Sequence, residues 1–201
     1  MPSMPASVWM RTMRKGDLTC ASPRPLRIVV NCAGIGPSTR ILGRKGVHDL
    51  ALFRKVVEIN LVGSFTVMAL AAEAIAQTEP DADGQRGVVI STASIAAFDG
   101  QVGQAAYSSS KGGIVGLTLP AARDLAQYGI RVVTIAPGIV ETPMLATVSD
   151  EFRAGLAAGV PFPQRLARPE EYAKLALASV DHGYLNGETI RMDGALRMAP
   201  R

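Results

Sequence analysis

Three apolar runs, rich in β-branched residues, divide the chain into repeating blocks. They are LRIVVNCA (26–33), GVVISTAS (87–94) and IRVVTIAP (130–137). Continuous runs of this length and composition are typical of strands that are buried on both faces of a parallel sheet. A shorter segment of alternating character, GETIRMDG (187–194), predicts a fourth strand.

Helical patterns separate these strands. Apolar residues recur at steps of three and four over 47–77 and again over about 104–128, which predicts two long helices. A third helix is predicted over 168–180, where a proline and two glutamates mark the first turn. Because strands and helices alternate, we predict an α/β fold with a Rossmann-like, doubly wound parallel sheet and right-handed crossovers.

Two stretches raise the question of a ligand site. VVNCAGIG (29–36) resembles the G-x-G-x-x-G turn that binds the pyrophosphate of a dinucleotide, but the third glycine position falls on Thr39. The segment 137–152 has no clear period and follows the third strand. In an open α/β sheet, ligands bind in the crevice at this carboxyl edge, so we expect the site there.

Composition and charge indicate the number of folded domains and the kind of partner. Hydrophobic residues make up 48% of the 201 residues, enough for one buried core, and we expect a single domain over 26–201. The net charge of +4 lies entirely within residues 1–28. We therefore expect a basic, poorly ordered arm over 1–25 and, without a basic face on the folded part, no nucleic-acid partner.

The cysteine content and the apolar runs bear on location. Cys20 and Cys32 are too few for a disulfide framework, no continuous run of 18 apolar residues is present, and the N-terminus lacks the apolar core of a secretory signal. We expect a cytoplasmic protein with no membrane partner. His48 and His182 lie far apart without a metal-ligand spacing, so we expect no metal and interpret both as surface residues.

Tyr107 and Lys111 form the first candidate for chemistry. Their spacing of four places them on one face of the predicted second helix. A nearby ammonium favours a phenolate and lowers the pKa of a tyrosine, which can then exchange a proton with an alcohol. Alone, such a pair is usually an ordinary helix-surface contact. Ser94 adds a hydroxyl at the end of the second strand, at the edge where ligands bind.

Together, Ser94, Tyr107 and Lys111 resemble the signature of the short-chain dehydrogenase/reductase family. NCAG (31–34), Asn60 in EINLVG, and APG (136–138) followed by Thr142 resemble further motifs of that family. The segments 84–126, 160–166 and 185–200 are most similar to its branch of 3-hydroxyacyl-CoA dehydrogenase type 2 enzymes. The resemblance covers residues 26–201. It implies an NAD-linked oxidoreductase that acts on a secondary alcohol or ketone, with acyl-CoA β-hydroxyls as the favoured substrates and steroid-like alcohols as an additional class.

The resemblance also assigns roles to individual residues. Tyr107 is expected to be the general acid/base, Lys111 to lower its pKa and to bind the nicotinamide ribose, and Ser94 to hold the substrate oxygen. Asn60 is expected to shape its helix around a water linked to Lys111. The NAD-binding residues it implies are Asn31, Ala33, Gly34, Tyr107, Lys111, Pro137, Gly138, Ile139 and Thr142. It further implies a homodimer or homotetramer built on the two long helices.

One part of the family pattern is not found before NCAG. Family members begin with a G-x-x-x-G-x-G turn and about two further βα units, whereas residues 1–25 contain Gly16 as their single glycine. The expected sheet therefore keeps the family's strands 4-5-6-7, in that order. Two hypotheses follow: a dehydrogenase whose recorded sequence lacks its N-terminal part, or a non-catalytic remnant that acts only as an oligomerising module.

We predict weak NADH binding by this chain alone. Losing three or four charge-assisted hydrogen bonds to the pyrophosphate and ribose, at roughly 1.5–3 kcal/mol each, weakens binding by about 5–10 kcal/mol, or several decades in Kd. Fluorescence titration of the purified chain with NADH measures this affinity. A micromolar Kd would contradict the prediction.

Overall fold

The computed structural model describes residues 25–44, 46–142, 145 and 149–200, so all but Pro25 of the predicted basic arm and Cys20 lie outside the described residues. The chain forms six strands within this part: β1 (Ile28–Asn31), β2 (Leu42–Gly43), β3 (Gly46–Val47), β4 (Gly87–Thr92), β5 (Ile130–Pro137) and β6 (Thr189–Met192). Its α-helices are α1 (Leu50–Val57), α2 (Gly63–Ile75), α3 (Ala105–Ala126), α4 (Asp150–Ala158) and α5 (Pro169–Asp181).

The main sheet has the order β1-β4-β5-β6, and each neighbouring pair is parallel. Strands that follow one another in the chain are thus neighbours in space, with a helical crossover between them. This confirms the predicted α/β, Rossmann-like fold and the expected order of its four strands. β4 and β5 are the inner strands, and the buried residues of this sheet lie on these two strands.

Helices cover both faces of the sheet, as in a doubly wound fold. On one face, α2 and α3 pack on Val89 and Val132 through side chains that include Met68 and Ala122. On the other face, α5 packs on Val88, Ile90 and Ile135 through Ala176. Because the inner strands are buried from both sides, their sequences read as continuous apolar runs rather than alternating ones.

The predicted helix over 47–77 differs from the structure in two ways. Residues Gly46–Val47 belong to a hairpin with β2, and α1 and α2 are separated by a π-helical turn, Glu58–Val62. Such turns insert an extra residue into a helix and are frequent at functional sites. The pattern of apolar residues continues through the turn, so the sequence alone shows one helix.

Two further features differ from what the sequence indicates. The sequence of 137–152 shows no clear period, but α4 begins at Asp150, with the Ser149 hydroxyl accepting a hydrogen bond from the Phe152 amide. His48 was expected on the surface, but it is buried, with Nδ1 2.7 Å from the Asp49 carbonyl oxygen. His182 is exposed, as expected.

The segment Leu50–Ile75 is long and apolar enough to cross a membrane by composition alone. Within the fold, Met68 and Ile75 of this segment are buried in the cluster beneath the sheet. This packing buries part of the segment's apolar surface in the core.

We predict that two isoleucines on the same face of adjacent strands differ in their contribution to stability. Ile90 on β4 is fully buried, whereas Ile28 on β1 is 48% exposed at the edge of the sheet. Ile90→Ala should lower the free energy of unfolding by about 2–5 kcal/mol, through lost burial and the cavity left behind, and Ile28→Ala by clearly less. Urea unfolding of the two variants measures the difference, and equal losses would show that β1 is covered.

Candidate active site

Ser94 follows the carboxyl end of β4 by two residues and lines the candidate active site. Ser94 caps a short 3-10 turn, Ile95–Ala97, and its Oγ accepts a hydrogen bond from the Ala96 amide at 3.1 Å. The same side chain interacts with the Tyr107 hydroxyl and favours its ionised form, which lowers the pKa of Tyr107. Ser94 therefore both closes its own turn and lies beside the Tyr107 hydroxyl, which sequence spacing could not show.

Tyr107 and Lys111 lie on the face of α3 that looks toward this edge. The Lys111 Nζ is 5.8 Å from the centre of the Tyr107 ring. It donates a hydrogen bond to the carbonyl oxygen of Thr92, the last residue of β4, at 2.7 Å. Ser94, Tyr107 and Lys111 thus meet at one place, as the sequence predicted, and a β4 carbonyl that the sequence did not single out holds the ammonium.

Burial controls the protonation of both α3 groups. It lowers the pKa of Lys111 to about 8, and the neighbouring Cys32 acts weakly in the opposite direction. It raises the pKa of Tyr107, and only the Ser94 hydrogen bond opposes that rise. The expected lowering of the Tyr107 pKa is therefore wrong for the chain by itself, because the desolvation of the phenolate outweighs its favourable interactions.

Asn60 lies in the π-helical turn and is fully buried. Its Oδ1 accepts a hydrogen bond from the Ile35 amide at 2.8 Å, and its Nδ2 donates to the Ile35 carbonyl at 2.8 Å. Nδ2 also donates to Ser110 Oγ at 3.0 Å. Asn60 therefore joins the loop after β1 to α3, which explains a polar residue in an otherwise apolar helical segment.

The groups surround a pocket of about 390 Å³. Of the residues predicted to bind NAD, it is lined by Gly34, Tyr107, Lys111, Pro137, Gly138, Ile139 and Thr142. Asn31 and Ala33 do not line it. Asn31 instead donates a hydrogen bond to the Ser64 carbonyl at 3.3 Å, so it ties β1 to α2.

Sequence reasoning missed several residues of the pocket wall. Thr92, Gln104, Tyr172 and Met198 all line it. The Tyr172 hydroxyl, from α5, lies 2.6 Å from Thr92 Oγ1, 80 residues away in the chain. The sequence pattern of the predicted helix 168–180 did not mark Tyr172, because its partner Thr92 lies far away in the chain.

Comparisons with known proteins agree with this geometry. A model of the short chain dehydrogenase family matches residues 19–152. The chain is 54% identical over 200 residues to 3-hydroxyacyl-CoA dehydrogenase type-2 of Rattus norvegicus, covering 98% of this chain and 77% of the rat protein. It is 55% identical to the Homo sapiens protein of that name over 175 residues, which are 86% of this chain and 67% of the human one.

This chain belongs to the short-chain dehydrogenase family. Among solved structures, the 3-hydroxyacyl-CoA dehydrogenase type-2 of Mycobacterium avium matches with a TM-score of 0.84 and 45% identity, over 87% of this chain and 69% of that one. The family assignment makes the chain an oxidoreductase by descent, and the family implies use of NAD(H).

The pocket suits the nicotinamide end of that cofactor. A Cβ built on Gly34 would lie 3.2 Å from Asn60 Oδ1 and 3.5 Å from Lys111 Nζ, so glycine keeps the space beside the ammonium open. A Cβ on Gly138 would come within 2.9 Å of the Asp193 Cα, which leaves glycine as the residue that fits there. The Lys111 ammonium, with the space that Gly34 leaves beside it, offers a hydrogen-bond donor of the kind that a ribose hydroxyl accepts.

We predict a pH signature of the buried Lys111. Its pKa is about 8 in the folded chain against 10.5 for an ordinary lysine, so the unfolded chain binds more protons between these values. Stability attributable to Lys111 should therefore rise as pH rises from about 8 to 10.5, by at most about 3 kcal/mol. The measurement is urea unfolding of the wild type relative to Lys111→Met across that range, and parallel pH profiles would contradict the assignment.

Proposed function

We propose that this chain catalyses the NAD-linked oxidation of a secondary alcohol to a ketone, and the reverse reduction, with 3-hydroxyacyl thioesters as the substrate class. The observation that carries the proposal is the meeting of Ser94, Tyr107 and Lys111 in one pocket. The names of the rat and human relatives support the choice of substrate class.

Ser94 and Tyr107 are assigned the role of binding the substrate oxygen. Both side chains line the same pocket and interact with each other, so an alcohol or ketone oxygen can contact both hydroxyl groups. In the oxidation, the alcohol proton passes to the Tyr107 phenolate, so this direction requires that the Tyr107 hydroxyl has first given up its own proton to solvent. In the reduction, the Tyr107 hydroxyl donates its proton to the forming alkoxide, and its raised pKa keeps it protonated near neutral pH.

Lys111 is assigned the role of stabilising the charge that develops on the Tyr107 oxygen during proton transfer. Its pKa of about 8 leaves it mostly charged near neutral pH, and it is 5% exposed. A cation held by the Thr92 carbonyl in this dry position stabilises negative charge on the neighbouring phenol oxygen more than it would in water. Nicotinamide, when bound, supplies the acceptor or donor of hydride at the carbinol carbon. Gly34, Lys111 and the 137–142 segment are the residues that would hold it.

Asn60 is assigned a positioning role. Its three hydrogen bonds fix the loop that carries Gly34 against α3. This fixes the distance between the wall beside the cofactor and the helix that bears Tyr107 and Lys111.

The proposal includes self-association. On α2 and α3, Phe65 is 53% exposed and Leu119 is 45% exposed, and apolar surface on two neighbouring helices supports a homodimer or homotetramer. The competing hypothesis, a non-catalytic oligomerising module, would keep this surface and lose the chemistry.

The matched pair Tyr107→Phe and Tyr128→Phe tests the function. Tyr107→Phe removes the proton-transfer group and should lower kcat by about 10²–10⁴-fold, since general acid/base catalysis contributes about that factor. Tyr128 lies just after α3, is 45% exposed and does not line the pocket, so its change should leave kcat unaltered. The assay follows NADH formation from 3-hydroxybutyryl-CoA at millimolar NAD.

Two outcomes would contradict the proposal. Equal rates for the wild type and Tyr107→Phe would remove the assigned mechanism. A wild type without turnover, in a sample that nonetheless self-associates, would favour the non-catalytic module.

A further inference from the structure

The chain between β6 and its C-terminal end forms a strap, defined here as Leu196–Pro200. A tight turn precedes it, in which Gly194 and Ala195 have φ values of 60° and 66°. The Arg191 side chain donates a hydrogen bond to the Leu196 carbonyl at 3.1 Å. The turn and this bond direct the strap back across the carboxyl edge of the sheet.

The end of the strap is bonded to the loop that leads into α3. The Val102 amide donates to the Pro200 carbonyl at 3.0 Å, and the Gln101 side chain donates to the Ala199 carbonyl at 2.9 Å. Arg191 also forms an ion pair with Asp99 of this loop, at 2.6 Å. The strap is thus tied to the segment that sets the start of the Tyr107 helix.

Met198 is the strap residue that reaches the pocket. Its side chain is half-buried and packs, together with Ile139, against a cluster formed by Ile95, Val160 and Leu196. Ile95 directly follows Ser94, the residue assigned to the substrate oxygen. Met198 therefore lines the part of the pocket where the turn after Ser94 meets Ile139.

We propose that Met198 is a specificity-determining residue, which limits the length of the acyl chain that fits beside Ser94 and Tyr107. The proposal rests on the function proposed above and adds the element that sets the size of its substrate. The flexible Met198 thioether is carried by a strap that is hydrogen-bonded to the loop before α3, and it lines the pocket together with the apolar side chains of Ile95 and Ile139. Shortening that side chain should admit a longer acyl group, and a bulkier side chain should exclude one.

Variants of opposite size test this. Met198→Ala should raise the ratio of kcat/KM for a medium-chain over a short-chain 3-hydroxyacyl thioester about tenfold, and Met198→Phe should lower it about tenfold, the factor typical of one methylene group in an apolar pocket. Leu177→Ala is the control, since Leu177 is 63% exposed on α5 and does not line the pocket. Calorimetric Kd values for the same series of 3-ketoacyl thioesters give a readout independent of turnover, and should shift in the same directions.

The possible outcomes distinguish a failure of the role proposed for Met198 from a failure of the proposed function. Unchanged chain-length profiles in both Met198 variants, with an active wild type, would overturn the role of the strap. Shifts of the same sign in both, accompanied by a lowered Tm, would show a packing defect and overturn it as well. A wild type that turns over no thioester would count against the proposed function, while the Kd series would still decide whether Met198 limits chain length.

Discussion

The hydrogen bond from the Lys111 ammonium to the Thr92 carbonyl joins the helix that carries Tyr107 to the end of an inner strand of the sheet. Thr92 ends the inner strand β4, and Lys111 lies one helical turn beyond Tyr107 on α3. A buried cation without an acceptor would be strongly unfavourable, so this contact fixes how α3 lies over the end of the sheet. The relative positions of Ser94, Tyr107 and the pocket depend on that docking.

The same burial that makes the site chemically useful works against the charged forms of its groups. It lowers the pKa of Lys111 and raises the pKa of Tyr107. Near neutral pH the site therefore holds a mostly charged Lys111 and a protonated Tyr107 beside Ser94. Desolvation opposes the phenolate of Tyr107, so its ionisation requires a compensating charge such as the Lys111 ammonium.

Polar residues in the core extend this arrangement away from the pocket. Asn60 bonds both backbone groups of Ile35 and the hydroxyl of Ser110. Tyr172 meets Thr92 from the opposite face of the sheet. The strap is held beside the pocket by its hydrogen bonds to Gln101 and Val102. The pocket is thus built from elements widely separated in the chain, each held by a few specific hydrogen bonds.

The sequence by itself determined the α/β class, the four parallel strands and the shared helix face of Tyr107 and Lys111, and its resemblance to the short-chain dehydrogenase/reductase family implied that Ser94 joins them. The reason is that periodicity, β-branched runs and a spacing of four are local properties, and parallel strands bring their carboxyl ends to one edge. Only the tertiary structure decided that His48 is buried, that Asn60 lies in a π-helical turn, and that Tyr172 and Met198 line the pocket. It also decided the direction of the Tyr107 pKa, because desolvation depends on everything that packs around a group, and that packing is set by residues far away in the chain.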